Sequence, residues 1–192
     1  MRTAEFDTEF LLRQAMAIFM THGYAKTSMQ KLTLATLLHP GSLYAAFGNK
    51  KGLFLAATEQ YQKDRNTQFT NLFDKSDKIL STIKIYLDTI VDECVEGEAT
   101  KVCLLTKSIT EVEGNDPQIC NVLRANLTAY ENAMAQQLQK AINNHEITNN
   151  RSAIELARFL VMGIYGLRTY ALTNQDSTAL NQLADELLLA IS

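Results

Sequence analysis

Proline and glycine are scarce in this 192-residue chain, with two and eight respectively. So few helix breakers favour long uninterrupted helices over an architecture of strands and turns. No alternating run of β-branched and aromatic side chains marks a sheet. No apolar run reaches the roughly 18 residues that a membrane span requires. Met1 to Glu9 is charged and has no apolar segment of the signal-peptide kind. The three cysteines, Cys94, Cys103 and Cys120, are odd in number and lack metal-ligand spacing. Reduced thiols in the cytoplasm are therefore expected. His22, His39 and His145 are scattered and form no metal set, and no Ser/His/Asp or Cys/His constellation stands at informative spacing. These absences predict an all-α cytoplasmic protein of one or two compact domains that is neither an enzyme nor a holder of a cofactor.

Acidic residues are also missing where they matter. From Phe10 to Thr58 there is no Asp or Glu, while Arg13, Lys26, Lys31, Lys50 and Lys51 all fall in that window. Residues 1–65 carry eight bases against five acids, a surplus of three, although the whole chain has a net charge of −3. A positive head on a negative body is the distribution that phosphate binding calls for, because neutralised phosphates release counterions whatever the base sequence.

Within that window the residues are ordered like two short helices around a tight turn. Thr27-Ser28-Met29-Gln30 reads as a capping box, with Thr27 accepting from the Gln30 amide. Met29, Leu32 and Ala35 then share a face. Pro40 suits the first position of a second short helix, Pro40-Gly41-Ser42-Leu43-Tyr44-Ala45-Ala46-Phe47. That helix is small-faced, hydroxylated and aromatic, as entry into a major groove requires. Upstream, Phe10 to Phe19 repeat at helical spacing until His22-Gly23. Downstream, Asn49 caps a fourth helix whose stripe is Leu53, Phe54, Ala57 and Tyr61.

The rest of the chain reads as helices over roughly 77–96, 101–112, 117–144, 152–173 and 178–191. Asp116-Pro117, Ser152-x-x-Glu155 and Ser177 supply the start signals. The last two helices hold more apolar surface than one small core needs. Leu160, Ile164, Leu167, Leu183 and Leu187 are accordingly expected at a dimer interface, with Gly163 and Gly166 letting a helix come close.

The residues Phe19, Gly23-Tyr24, Thr27-Ser28-Met29, Leu32, Ala35, Gly41-Ser42-Leu43-Tyr44, Phe47, Asn49-Lys50 and Leu53-Phe54 resemble the signature of the TetR (tetracycline repressor) family of bacterial transcription regulators. The signature covers about residues 5–65. Beyond it the likeness is in length, helix count and Val102-Cys103-Leu104-Leu105. The resemblance implies a helix-turn-helix DNA-binding domain over 1–48 and a helical effector-binding and dimerisation domain over 49–192. It implies a homodimer that binds palindromic operator DNA, most simply as a repressor, and is released by a small-molecule effector. Two residues depart from the family pattern. Leu37 stands where a turn glycine is usual, and His39 stands where Ser or Thr usually caps the recognition helix.

The DNA-binding candidates are Thr27, Ser28, His39, Pro40, Gly41, Ser42, Tyr44, Ala45 and Lys50. Among them Lys50 is the expected phosphate ligand, Tyr44 resembles the family's phosphate-contacting tyrosine, and Ala45 could meet a thymine methyl. The effector-binding candidates are Tyr61, Phe69, Phe73, Tyr86, Cys103 and Tyr130. An alternative makes Cys103 a redox or electrophile switch whose thiol is activated by Lys107, one turn on. A second alternative is a helical interaction protein that does not bind DNA.

Overall fold

The computed structural model describes residues 7–96, 104–113 and 115–192. Among the described residues are nine α-helices and no strand. They are α1 (Thr8–Lys26), α2 (Met29–Thr36), α3 (Pro40–Phe47), α4 (Lys50–Phe73), α5 (Ile79–Glu96), α6 (Leu104–Val112), α7 (Pro117–Asn143), α8 (Ala153–Tyr170) and α9 (Ser177–Leu189). The all-α class expected from the scarcity of breakers holds, and the expected helices lie within a few residues of the observed ones. No described helix is long and apolar enough to cross a membrane.

The helices form two compact units, Met1–Asn66 with Leu104–Arg124, and Thr67–Cys103 with Ala125–Ser192. In the first, α6 and the start of α7 join the sequence-defined head and the first part of α4. Its centre is aromatic. Phe19 meets Phe54 edge-on at 5.0 Å between ring centroids, and Tyr24 lies against both rings. Leu32 and Leu43 are buried among these helices, as are Leu53 and Ala57, so the stripe read along α4 is a core stripe. Burying such side chains is the main favourable term in holding the unit together.

Ion pairs tie α1 to α4 on the outside of this core. Arg13 donates to both carboxylate oxygens of Asp64 through Nε and Nη2, each at 2.8 Å, and the same Nη2 reaches Glu9 at 3.1 Å. Lys63 also donates to Glu9. Lys51, in the first turn of α4, pairs with Asp116 at 2.9 Å. Arg13 and Lys63 thus pair with carboxylates while remaining largely exposed to solvent.

Two helix starts differ from the sequence reading. Thr27 is not the cap of α2. It is 1 % exposed, and its hydroxyl donates to the Gly23 carbonyl at 2.6 Å. Ser28 is the cap, accepting from the Lys31 amide at 3.2 Å. In α9 the cap is Asp176, one residue before the expected Ser177, with its carboxylate accepting from the Thr178 amide at 2.9 Å.

The second unit packs α5, α8, α9 and most of α7 around Ile83, Leu87, Met134, Leu138, Leu156 and Leu180. Of the five residues expected at a dimer interface, three lie in this core. Leu160 is fully buried within this unit, and Ile164 and Leu167 nearly so, so their bulk goes to its own core. Leu183 remains 41 % exposed. Gly163 serves the chain itself, since a Cβ there would stand 2.2 Å from a methyl of Leu187, so α8 and α9 cross at this residue. Gly166 has nothing within 4 Å of that position. It opens on a trough of ≈ 980 Å³ between α8 and α9, lined mainly by Phe159, Leu167, Tyr170, Leu183 and Leu187.

Leu37 ends α2 in the left-handed conformation, φ 56 and ψ 18, and is 88 % exposed. It accepts backbone strain and buries almost nothing in return. Leu37→Gly should therefore stabilise the chain by about 1 kcal/mol, read as a rise of a few degrees in the thermal midpoint. Leu37→Val should lower it.

The ion pairs give a second expectation, in pH. Hydrogen bonds from Lys63 hold Glu9 below its ordinary value, those from Arg13 do the same for Asp64, and those from Lys51 for Asp116. Carboxyls depressed in the folded state contribute stability that is complete above their unfolded pKa of about 4 and is lost as pH falls through the lower folded values. Thermal midpoints should thus be flat near neutrality and fall below about pH 4. Asp64→Asn should flatten that fall. Because the pairs are largely exposed, the effect per pair is small and shrinks with added salt.

Candidate nucleic-acid interface

The interface begins with the break in α1. Gly23 adopts φ 79 and ψ 167, which interrupts the helix before its last turn to Lys26. A break exposes carbonyls on one side and amides on the other. Two residues of α6, one turn apart, satisfy both. Lys107 donates to the carbonyls of Met20 and Thr21 at 2.7 and 3.1 Å, and Glu111 accepts from the Ala25 amide at 2.9 Å. A Cβ on Gly23 would lie 1.8 Å from a carboxylate oxygen of Glu111. The chain leaves this clamp directly into Thr27, whose buried hydroxyl fixes the entry to α2.

On α3 the sequence puts one leucine inward and small or hydroxylated residues outward. Leu43 is completely buried and Phe47 half-buried, while Gly41, Ser42, Tyr44, Ala45 and Ala46 are exposed. Tyr44 is 48 % exposed. His39 is the helix cap, with Nδ1 accepting from the Gly41 amide at 3.2 Å. Its carbonyl accepts from Ser42 and Leu43 at 2.9 and 3.2 Å. The poorer cap expected from sequence is thus a working one.

The charges are arranged differently from the sequence expectation. Lys50 is half-buried, and its ammonium donates to the Tyr24 carbonyl at 3.0 Å and lies 4.6 Å from the centre of the Tyr24 ring. Its first task is therefore to close the end of α1, where helix carbonyls attract a cation. Lys51 is held by Asp116. Lys26 and Lys31 stand exposed at the two ends of the short link between α1 and α2. Both were visible in the charge map, but neither was among the candidates. Ser28, between them, accepts in its cap and keeps its hydroxyl hydrogen for an outside acceptor. Thr27, by contrast, is withdrawn from the surface set, because its hydroxyl is spent on Gly23.

In the second unit, four of the six effector candidates come together. Phe69 lies against Phe73 at 4.5 Å and edge-on to Tyr86 at 5.7 Å and Tyr130 at 6.2 Å. The hydroxyls of Tyr86 and Tyr130 are 2.9 Å apart. Burial, with the neighbouring Tyr86 hydroxyl, pushes the Tyr130 phenol well above its ordinary pKa, so it stays protonated and can donate. Tyr61 is not part of this cluster; it belongs to the first unit, beneath the guanidinium of Arg65. Cys103 lies outside the described residues. Lys107, expected to activate that thiol, has its ammonium on the carbonyls of α1 instead. Cys94 and Cys120 are buried.

Comparison with known proteins agrees with this arrangement. Residues 11–57 match the model of "Bacterial regulatory proteins, tetR family", and residues 78–187 match "Tetracyclin repressor-like, C-terminal domain". The HTH-type transcriptional repressor ComR of Escherichia coli is 28% identical over 184 residues, 95% of this chain and 88% of ComR. An uncharacterized HTH-type transcriptional regulator of Bacillus subtilis, YezE, is 26% identical over 185 residues, 96% of this chain and 95% of that one. Among solved structures, a cysteine-substituted form of the regulator CifR, complexed with 26-base-pair operator DNA, superposes with a TM-score of 0.85 at 24% identity, covering 100% of both chains.

Proposed function

We propose, on the premise that this chain belongs to the tetR family of bacterial regulatory proteins, that it is a repressor that binds palindromic operator DNA as a homodimer and is released by a small-molecule effector. The observation that carries the DNA-binding part is the outward face of α3. One leucine anchors the helix while Gly41, Ser42, Tyr44 and Ala45 face solvent, beside the exposed Lys26 and Lys31. In this reading His39, Pro40, Gly41, Ser42 and Ala45 approach base edges, as the leading end of a recognition helix does. Ser28, Tyr44, Lys26 and Lys31 hold phosphates, and Lys50 acts mainly by fixing α1 against α4. ComR's role as a repressor and CifR's complex with operator DNA support the sign and the partner.

The division of labour follows the sequence expectation, with DNA binding in 1–48 and effector binding and dimerisation in 49–192. The second copy would seat on the α8–α9 trough, where Leu183, Leu187 and the open Gly166 lie. The effector would enter at Phe69, Phe73, Tyr86 and Tyr130, an aromatic set with a polar hydroxyl pair, which suits a small, largely apolar molecule carrying one hydrogen-bonding group.

Binding to duplex DNA of mixed sequence, measured as a function of salt, tests the first part. Affinity should fall steeply, and Lys31→Ala should shallow the log–log slope by about one unit. Lys50→Ala should chiefly lower the thermal midpoint. A flat salt response would favour the interaction protein. For the dimer, Gly166→Arg should yield monomers by sedimentation with an unchanged helical spectrum, whereas a dimer that survives it would place the interface elsewhere.

A further inference from the structure

The leading turn of α3 has used up its backbone donors. Pro40 has no N–H, the Gly41 amide goes to the His39 ring, and the Ser42 and Leu43 amides go to the His39 carbonyl. No free peptide hydrogen is left to meet a phosphate there. The helix and its flanks from His39 to Asn49 contain no Asp, Glu, Lys or Arg, so hydrogen bonding to DNA from this segment falls to neutral side chains. At the exposed tip these are His39 and Ser42.

His39 is more constrained than a surface histidine. Its Nδ1 accepts from the Gly41 amide, so in the neutral ring the single proton must sit on Nε2. The ring also lies over Gly41, where a Cβ would come within 3.4 Å of Nδ1. The cap therefore fixes both the tautomer and the orientation of an exposed imidazole.

We infer that His39 is a specificity-determining residue of the DNA interface, its Nε2–H reading a hydrogen-bond acceptor on a base edge of the major groove. The inference rests on the DNA-binding function proposed above and names the chemistry at one position of that site. Guanine fits best, because N7 and O6 stand side by side there with no donor between them. A ring held by its own helix reads that edge through one fixed donor, where a long flexible side chain would adapt to several.

The test is sequence selection from a randomised duplex library at pH 8, by wild type, His39→Ser and His39→Ala. Serine is a good helix cap, so His39→Ser should keep the wild-type thermal midpoint but is too short to reach the base. It should lose guanine preference at one position per half-site, with the remaining positions intact. His39→Ala should lose the same preference and melt several degrees lower. Nitrogen-detected NMR of the free wild-type protein should show the Nε2–H tautomer of His39. An unchanged consensus with His39→Ser would make His39 a cap only, and a uniform loss of affinity would mean that Nε2 meets a phosphate. Either result overturns the inference, as would the Nδ1–H tautomer. Failure of the wild type to enrich any sequence would remove the DNA-binding reading itself, a result distinguishable from the others.

Discussion

The first unit turns on a carboxylate standing where a side chain cannot be. Gly23 breaks α1, and Glu111 fills the space its missing Cβ leaves while taking the Ala25 amide. Lys107 supplies the opposite charge to the carbonyls on the other side of the break. Neither α1 nor α6 completes this on its own. The break would leave polar groups without partners, and buried groups in that state cost about 1–3 kcal/mol each. The direction in which the chain leaves α1, and hence the placement of α2 and α3, is set by two residues 86 to 87 positions away along the chain from the groups they bind. That dependence also makes α6 part of the DNA-binding architecture in a physical sense, although it lies outside the helix-turn-helix sequence.

Charge in this unit is distributed by the same logic. Arg13 and Lys63 are committed to α1–α4 pairing, Lys51 to Asp116, and Lys50 to the end of α1. The head's positive surplus is real, but much of it holds helices together. The basic residues left facing outward gather near Ser28, where a backbone-tracking contact needs them. The recognition helix itself carries no charge.

Much of this was legible in the sequence. Helix number and approximate extent followed from apolar spacing and from the few glycines and prolines. The stripe from Leu53 to Tyr61 was placed by periodicity alone. What stayed hidden involves partners distant in sequence. Asp116 enters the acid-free window from outside it and Lys50 turns back onto the Tyr24 carbonyl, so both Lys50 and Lys51 looked free when read locally. Thr27 and Ser28 are both competent caps, and only the position of the Gly23 carbonyl decides between them. The leucines of α8 repeat at one spacing whether they face their own core or a second chain, so Leu160 and Ile164 could not be assigned from pattern. Leu37 was flagged correctly as a misfit, and the strain it accepts is visible because nothing packs on it.

The aromatic cluster of the second unit has a spectroscopic consequence. The chain contains no tryptophan, so its near-ultraviolet emission comes from seven tyrosines. Tyr86, Tyr130, Tyr165 and Tyr170 belong to the second unit, and two of these share a hydrogen bond. Four of the seven emitters thus sit in the second unit, and a molecule that slid between the phenols of Tyr86 and Tyr130 would change the signal without any dye attached.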